Sequence, residues 1–233
     1  MCVKAIAIIP ARGGSKRVPR KNVRPFCGRP MISYPITAAL ESGLFARVLV
    51  STDDPEIAQV ARDHGADVVD RPADLADDQA RLRDVMKFEV QRLCGSDEPE
   101  VVCFLLATAV FVNVEVLKEG AAIMGDNRFE NALTALPFPA AIQRAFTKTP
   151  QGGTRMFLPQ FYSARSQDLE EAYYDAGQCY WGRLRCFLNA DADFFNERTA
   201  IIQMDRRFAV DIDTPLDWEI AEIHYRLAHE RGL

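Results

Sequence analysis

The apolar positions of this chain gather into short unbroken runs, set between longer stretches with helical spacing, and the first run is "KAIAII" at residues 4–9. Closed by Pro10 and the "RGGSK" segment, it reads as a buried strand that ends in a loop. A helix is expected over residues 30–42, with Pro30 suited to a first helical position and Gly43 to a stop. "RVLVST" (47–52) is a second buried strand. "DDPEIAQVARDHG" then offers an Asp cap, a Pro at the start, Ile57, Val60 and Ala61 at helical spacing, and a terminal Gly65. "ADVVD" (66–70) gives a third strand. Strand, helix, strand, helix, strand over about 70 residues implies right-handed parallel crossovers, hence an α/β doubly wound, mostly parallel, Rossmann-like sheet.

After the polar linker "RPADLADD", a helix is expected over 80–93, a central strand at "VVCFLLA" (101–107) and a helix over 114–124. From 136 to 174 the pattern breaks into Pro, aromatic residues and Gly without sustained periodicity. So long a segment is not one loose loop in a compact domain, and a β-rich insertion that closes over the site or pairs with a second subunit is the expectation. "CYWGRL" and "TAIIQM" read as later strands, and "TPLDWEIAEIHYRLAHE" as a capped amphipathic helix. A chain of 233 residues, 48 % hydrophobic, suits one domain spanning 1–233 with that insertion better than two domains.

Composition narrows the setting. No run of about 18 apolar residues occurs and no signal-peptide pattern opens the chain, so membrane insertion and export are not expected, and a cytoplasmic protein is. The six cysteines are scattered, without C-x-x-C or zinc spacing, and read as free thiols. Net charge is −5, yet the first 40 residues hold eight Lys and Arg and no Asp or Glu. The body of the chain therefore repels polyanions while one local patch attracts phosphate, which fits a compact anionic ligand and no nucleic-acid partner.

That patch centres on "IIPARGGSKRVPRKN" (8–22), which carries five bases and two glycines. It lacks the Gly-Lys pair of a Walker A loop and the third glycine of a dinucleotide fingerprint. Gly13 and Gly14 can still bring backbone N–H groups close to phosphate, and Arg12, Lys16 and Lys21 can neutralise a triphosphate. Arg17 and Arg20 are left to keep the loop solvated. In "VDIDTPLDW" (210–218), Asp211 and Asp213 alternate on an extended segment, so both carboxylates face one side, as hard ligands for Mg²⁺ would. The competing reading is a helix cap formed by Asp213 or Thr214 ahead of Pro215.

Taken together, "IIPARGGSKRVPRKN", "STDDPEIAQVARDHGADVVDRPADLADD", "RSQDLEEAYYDAGQCYWG" and "DIDTPLDW" resemble the CMP-sialic-acid synthetase family, the acylneuraminate cytidylyltransferases, nearest to the pseudaminic acid branch. The resemblance covers nearly the whole chain in order. It implies a sheet of the nucleotide-diphospho-sugar transferase type, and a reaction of CTP with an acidic 2-keto nine-carbon sugar to give CMP-sugar and pyrophosphate. The insertion over 136–174 motivates the further expectation of a homodimer. The nucleotide residues that the resemblance implies are Ala11, Arg12, Gly13, Gly14, Lys16 and Lys21, with Asn22 and Arg71 near the cytidine. Asp211 and Asp213 are implied for Mg²⁺. Gln143, Arg144, Arg165, Gln178 and Tyr180 are implied for the sugar pocket, Arg165 offering a planar fork to the carboxylate. Arg12, Lys21 and Asp211 are the implied catalytic set, the first two answering charge on the leaving pyrophosphate and Asp211 taking the hydroxyl proton, directly or through a metal-bound water.

The chain departs from that branch at four places. Hydroxyl residues are expected where Ala80 and Leu82 stand, a histidine at Phe88 and a proline at Val110. Ala80 and Leu82 cannot hydrogen-bond a nucleotide. Two alternatives therefore stand beside the leading reading: a nucleotidyltransferase with altered nucleotide or sugar specificity, and a non-catalytic nucleotide-binding homologue. A dehydrogenase is excluded by the missing glycine fingerprint. A hydrolase lacks a nucleophile partnered by His64, His224 or His229.

Overall fold

A computed structural model describes residues 5–77, 80–93, 99–188 and 194–230. Lys4 of the first apolar run, Cys2 and Cys94 of the six cysteines, Asp78 of the polar linker and the side chain of His229 lie outside the described residues. In chain order the main sheet is built from β1 (Ala5–Pro10), β2 (Phe45–Thr52), β3 (Asp67–Asp70), β4 (Val101–Leu105), β5 (Asn131–Pro137), β6 (Tyr173–Arg183) and β7 (Thr199–Gln203). Across the sheet they run β7-β5-β6-β4-β1-β2-β3, all parallel except β6, which is antiparallel to both neighbours. The expected doubly wound, mostly parallel sheet is present.

The continuous apolar runs are explained by burial on both faces. Ala5, Ala7 and Ile9 of β1, with Val101, Cys103 and Leu105 of β4, pack on one face against α1 (Ser33–Ser42), α2 (Pro55–Asp63) and α4 (Val114–Met124). The alternate residues Ile6, Ile8, Val102 and Phe104 pack on the other face against α3 (Leu82–Leu93) and the short α5 (Leu184–Leu188). The last helix, α6 (Pro215–Glu230), seats Trp218 and Ala221 in a third cluster with Phe26, Phe111 and Val110. Val110 thus fills core space.

Three local expectations change. Pro30 does not open α1; it pairs with Pro25 in a two-residue hairpin, and the helix starts at Ser33. Gly43 does stop that helix, in the left-handed region at φ 65°. A strand was not expected at "NALTALP", whose Asn, Thr and Pro dilute the apolar run, yet it is β5. The ends of the segment 136–174 therefore belong to β5 and β6, and residues 138–172 are a long excursion between these two antiparallel neighbours, closed where the Phe138 N–H donates to Ala172 O at 2.9 Å. Within it, regular pairing is confined to a small hairpin, Phe146–Lys148 with Thr154–Met156, beside three 3₁₀ turns.

Candidate active site

The chain leaves β1 toward β2 on one side and reaches β4 on the other, so the C-terminal ends of β1 and β4 form a switch point in strand order, where open α/β sheets bind ligands. A cleft of about 500 Å³ lies there, floored by Pro10 from β1 and by residues 106–108 after β4. Arg12, Lys16 and Lys21 line it, as do Asn22 and Arg71. Ser15 and Arg17, which the sequence reading did not select, line it too.

The basic loop is held in place by α2. Asp54 caps that helix by accepting from Glu56 N and Ile57 N. Its carboxylate also pairs with Arg20, which reaches Glu56 as well. Arg20 is therefore a strut, and it stands in the left-handed region at φ 57°, a conformation these ion pairs help to hold. The Arg20 guanidinium, against a smaller opposing effect of burial, keeps the Asp54 carboxyl below its ordinary range. Gly13 departs from its expected role: its N–H donates to Asp53 Oδ1 at 3.0 Å and so is not on offer to phosphate. A Cβ there would come within 2.5 Å of Asp54 Oδ2, so glycine is needed for the loop to lie against the cap. Ala11 is buried, its N–H bonded to Ser51 O, and Gly14 faces open space; neither lines the cleft. Asn22 donates Nδ2–H to Arg12 O at 2.9 Å, and Arg12 Nη1 donates to Asp77 O at 2.7 Å. These bonds shape the cleft wall that Ala80 and Leu82 complete.

The acidic segment meets this wall. Lys21 Nζ donates to Ile212 O and stands 3.4 Å from Asp213 Oδ1, while Arg17 Nη2 lies 2.8 Å from Asp213 Oδ2. Arg17 thus belongs to the site. Ile212 is buried between the two aspartates, as strand-like alternation requires. The helix-cap expectation is met by Thr214 and not by Asp213: Thr214 Oγ1 accepts from Asp217 N, and Asp217 Oδ2 in turn accepts from Thr214 N and Oγ1. Asp211 is left out of the cap, and no described residue donates a hydrogen bond to its carboxylate. Burial first, then the charge of Asp213, raises its proton affinity, with Lys21 opposing.

β6 carries Gln178 and Tyr180. Its pairing to β5 jumps from Asp175↔Ala135 to Tyr180↔Leu133, a bulge of three extra residues. Gly177 turns that bulge at φ 61°, and a Cβ there would lie 3.2 Å from Asp211 Cγ. Gln178 is buried and donates Nε2–H to Val210 O at 3.3 Å, tying the bulge to the acidic segment. Tyr180 donates to Asp175 Oδ2 at 2.7 Å, and burial raises its phenol above the ordinary range. Both Tyr180 and Asp175 line a recess of about 200 Å³ walled by Phe187, Phe194 and Phe195. Asp175 was not selected from the sequence, although it stands in the quoted "YYDAGQ".

Gln143, Arg144 and Arg165 lie elsewhere. Gln143 Nε2 donates to Glu170 O, Arg144 Nη1 to Ser166 Oγ, and Arg165 forms a two-bond fork with Asp168 at 2.7 and 3.1 Å. None of the three lines the cleft or the recess.

Among the described residues no group of three or more His, Cys, Asp and Glu side chains is arranged for a metal ion. Asp211 and Asp213 alone supply a pair of hard oxygen donors, and the unbonded, charge-crowded Asp211 carboxylate fits a divalent cation. No helix of the described residues is long and apolar enough to cross a membrane.

Comparison with known proteins agrees with this geometry. The family described as "Cytidylyltransferase" matches residues 6–229. A pseudaminic acid cytidylyltransferase of Campylobacter jejuni subsp. jejuni serotype O:2 is 40 % identical over 230 residues, covering 98 % of this chain and 99 % of that protein. An N-acylneuraminate cytidylyltransferase of Streptococcus agalactiae serotype V is 30 % identical over 93 % of this chain and 52 % of its own length. Among solved structures, a CMP:2-keto-3-deoxy-manno-octonic acid synthetase complexed with CTP superposes with a TM-score of 0.68 at 19 % identity, over 97 % of this chain and 99 % of that one. The last likeness is one of fold.

Proposed function

Since the chain belongs to the cytidylyltransferase family and is a CTP-dependent nucleotidyltransferase, we propose that it activates a nonulosonic acid, of pseudaminic or sialic type, giving CMP-sugar and pyrophosphate. The observation that carries the reading is the meeting of the basic cleft wall with the paired aspartates, at Lys21 and Asp213.

In this reading the triphosphate lies along Arg12, Lys16 and Lys21, with the nucleoside toward Asn22 and Arg71. The 2-hydroxyl oxygen of the sugar attacks the α-phosphorus, the bond to the bridging oxygen breaks, and pyrophosphate leaves. Asp211 accepts the hydroxyl proton. Arg12 and Lys21 stabilise the charge that gathers on the leaving group. Asp211 and Asp213 would hold Mg²⁺, which when bound neutralises phosphate charge near the reacting phosphorus. The aromatic recess beside Tyr180 suits an apolar acyl substituent of the sugar. Arg165 lies on the excursion with exposed Phe146, Phe157 and Tyr162, which supports closure of that segment over the sugar, pairing of two copies, or both. A single domain, a homodimer and a cytoplasmic setting belong to the same proposal.

The altered-specificity reading keeps one observation in its favour: Ala80 and Leu82 line the cleft with no side-chain hydroxyl. Pyrophosphate release with each of the four nucleoside triphosphates, Mg²⁺ and a panel of 2-keto acid sugars separates the two. Release with CTP and a nonulosonic acid is expected. Release only with another triphosphate would move the assignment to the second reading, and none with any pair would overturn both.

A further inference from the structure

Among the described residues only two charged side chains are buried, and they have opposite sign: Arg71, 7 % exposed, and Glu89, 3 % exposed. Arg71 follows β3 and lines the cleft; Glu89 lies in the third turn of α3, on the stripe it shares with Val85, Met86 and Val90. A buried charge without a partner is strongly unfavourable, so each must be compensated from within the fold.

The compensation runs through Ser51 of β2. The Ser51 hydroxyl donates its one proton to Glu89 Oε1, and its oxygen accepts from Arg71 Nε at 3.3 Å. A carboxylate only accepts, so Glu89 fixes the direction of the hydroxyl and leaves a lone pair facing the guanidinium. Arg71 Nη2 donates to Ser51 O at 3.0 Å. Nη1 has no partner among the described residues. A second leg runs through Arg92, which lies 3.5 Å from Glu89 Oε2, donates to Asp70 O at 2.6 Å and stacks on Phe88. Asp70 immediately precedes Arg71, so Glu89 reaches the arginine through both its side chain and its backbone. Burial lowers the proton affinity of Arg71, and Glu89 is the largest influence opposing that.

We infer that Glu89 is a positioning residue for the nucleotide, holding the Arg71 guanidinium on the cleft wall through the Ser51 hydroxyl. The inference rests on the reading of the cleft as the nucleotide site. α3 thereby serves the nucleotide twice: Leu82 and Val85 of its first turn line the cleft directly, and two turns later Glu89 aims an arginine into it.

The test uses the full chain, with CTP as the probe, and compares Glu89→Gln, Ser51→Ala, Arg71→Ala and the Glu89→Gln/Arg71→Ala double variant. Equilibrium CTP binding, KM for CTP and for the sugar, kcat and Tm are measured for each. Glu89→Gln is expected to raise KM and Kd for CTP about tenfold, with kcat at saturation and sugar KM within about twofold. Ser51→Ala should reproduce that split, which keeps the proposal open to refutation if Glu89→Gln folds poorly. The double variant should bind CTP no worse than Arg71→Ala alone, because the relay ends at Arg71. If Arg71→Ala weakens CTP binding while Glu89→Gln and Ser51→Ala do not, or if the two losses multiply, the inference falls and the nucleotide assignment survives. If Arg71→Ala leaves CTP binding unchanged, the assignment of Arg71 to the nucleotide falls, and the inference with it.

Discussion

Arg165 pairs directly with a carboxylate, and Arg71 reaches one only through the Ser51 hydroxyl; the first has a side chain 71 % exposed and the second is 7 % exposed. Arg71 is fixed by groups distant in sequence, Ser51 and Glu89, brought together by the sheet and by α3. Arg165 is fixed by Asp168, three residues on. The difference extends to their surroundings: Arg71 lines a cleft at the ends of two central strands, while the excursion between β5 and β6 bonds with itself and shows apolar side chains to solvent. A site built from the core is preorganised before any ligand arrives. In the proposed reading, the sugar side on the self-contained excursion is completed by closure or by a second copy.

The contrast breaks first at the acidic segment. Asp211→Asn and Asp213→Asn should each lower kcat by about a hundredfold or more with Tm nearly unchanged, because neither carboxylate supports the helix cap. Near-normal turnover in either variant would remove that residue from the catalytic set. The next largest effect is expected on the excursion. Arg165→Ala should raise sugar KM about tenfold and leave CTP binding untouched, the mirror image of an Arg71 substitution. A loss of CTP affinity instead would show that the two halves are not separable. Restoring hydroxyls, Ala80→Ser with Leu82→Thr, should shift selectivity among nucleoside triphosphates by about two- to fivefold, read from competing kcat/KM values.

Much of the cleft was legible in the sequence because its signals are local. β1 and β4 are unbroken apolar runs, α2 announces its cap at Asp54, and the charge asymmetry marks the loop. The rest depends on distant partners. Arg17 and Arg20 look alike in sequence, and only the fold puts one on Asp213 and the other on Asp54. Gly13 reads as a phosphate contact until Asp53 is seen to take its N–H. The β6 bulge breaks the two-residue period, which hid Asp175 as a site residue. Glu89 carried one readable signal, its place four residues after Val85 on the apolar stripe of α3.

The smallest predicted effect concerns the stability of the basic loop. Asp54 titrates below its ordinary value in the fold, so its contribution is present above the unfolded value of about 4 and is lost as pH falls through the lower folded one. Asp54→Asn keeps a capping oxygen but loses the ion pair with Arg20. Its Tm should fall by a few degrees at neutral pH and converge on that of the native chain in acid; an equal deficit at both pH values would show that the Arg20 pair is not the source.

The central claim is that the basic cleft and the aspartate pair transfer a cytidylyl group onto a nonulosonic acid. Mass spectrometry of a reaction containing the purified chain, CTP, Mg²⁺ and pseudaminic acid tests it most directly. The account predicts one CMP-sugar formed for each pyrophosphate released; free CMP without CMP-sugar, or no turnover of CTP, would contradict it.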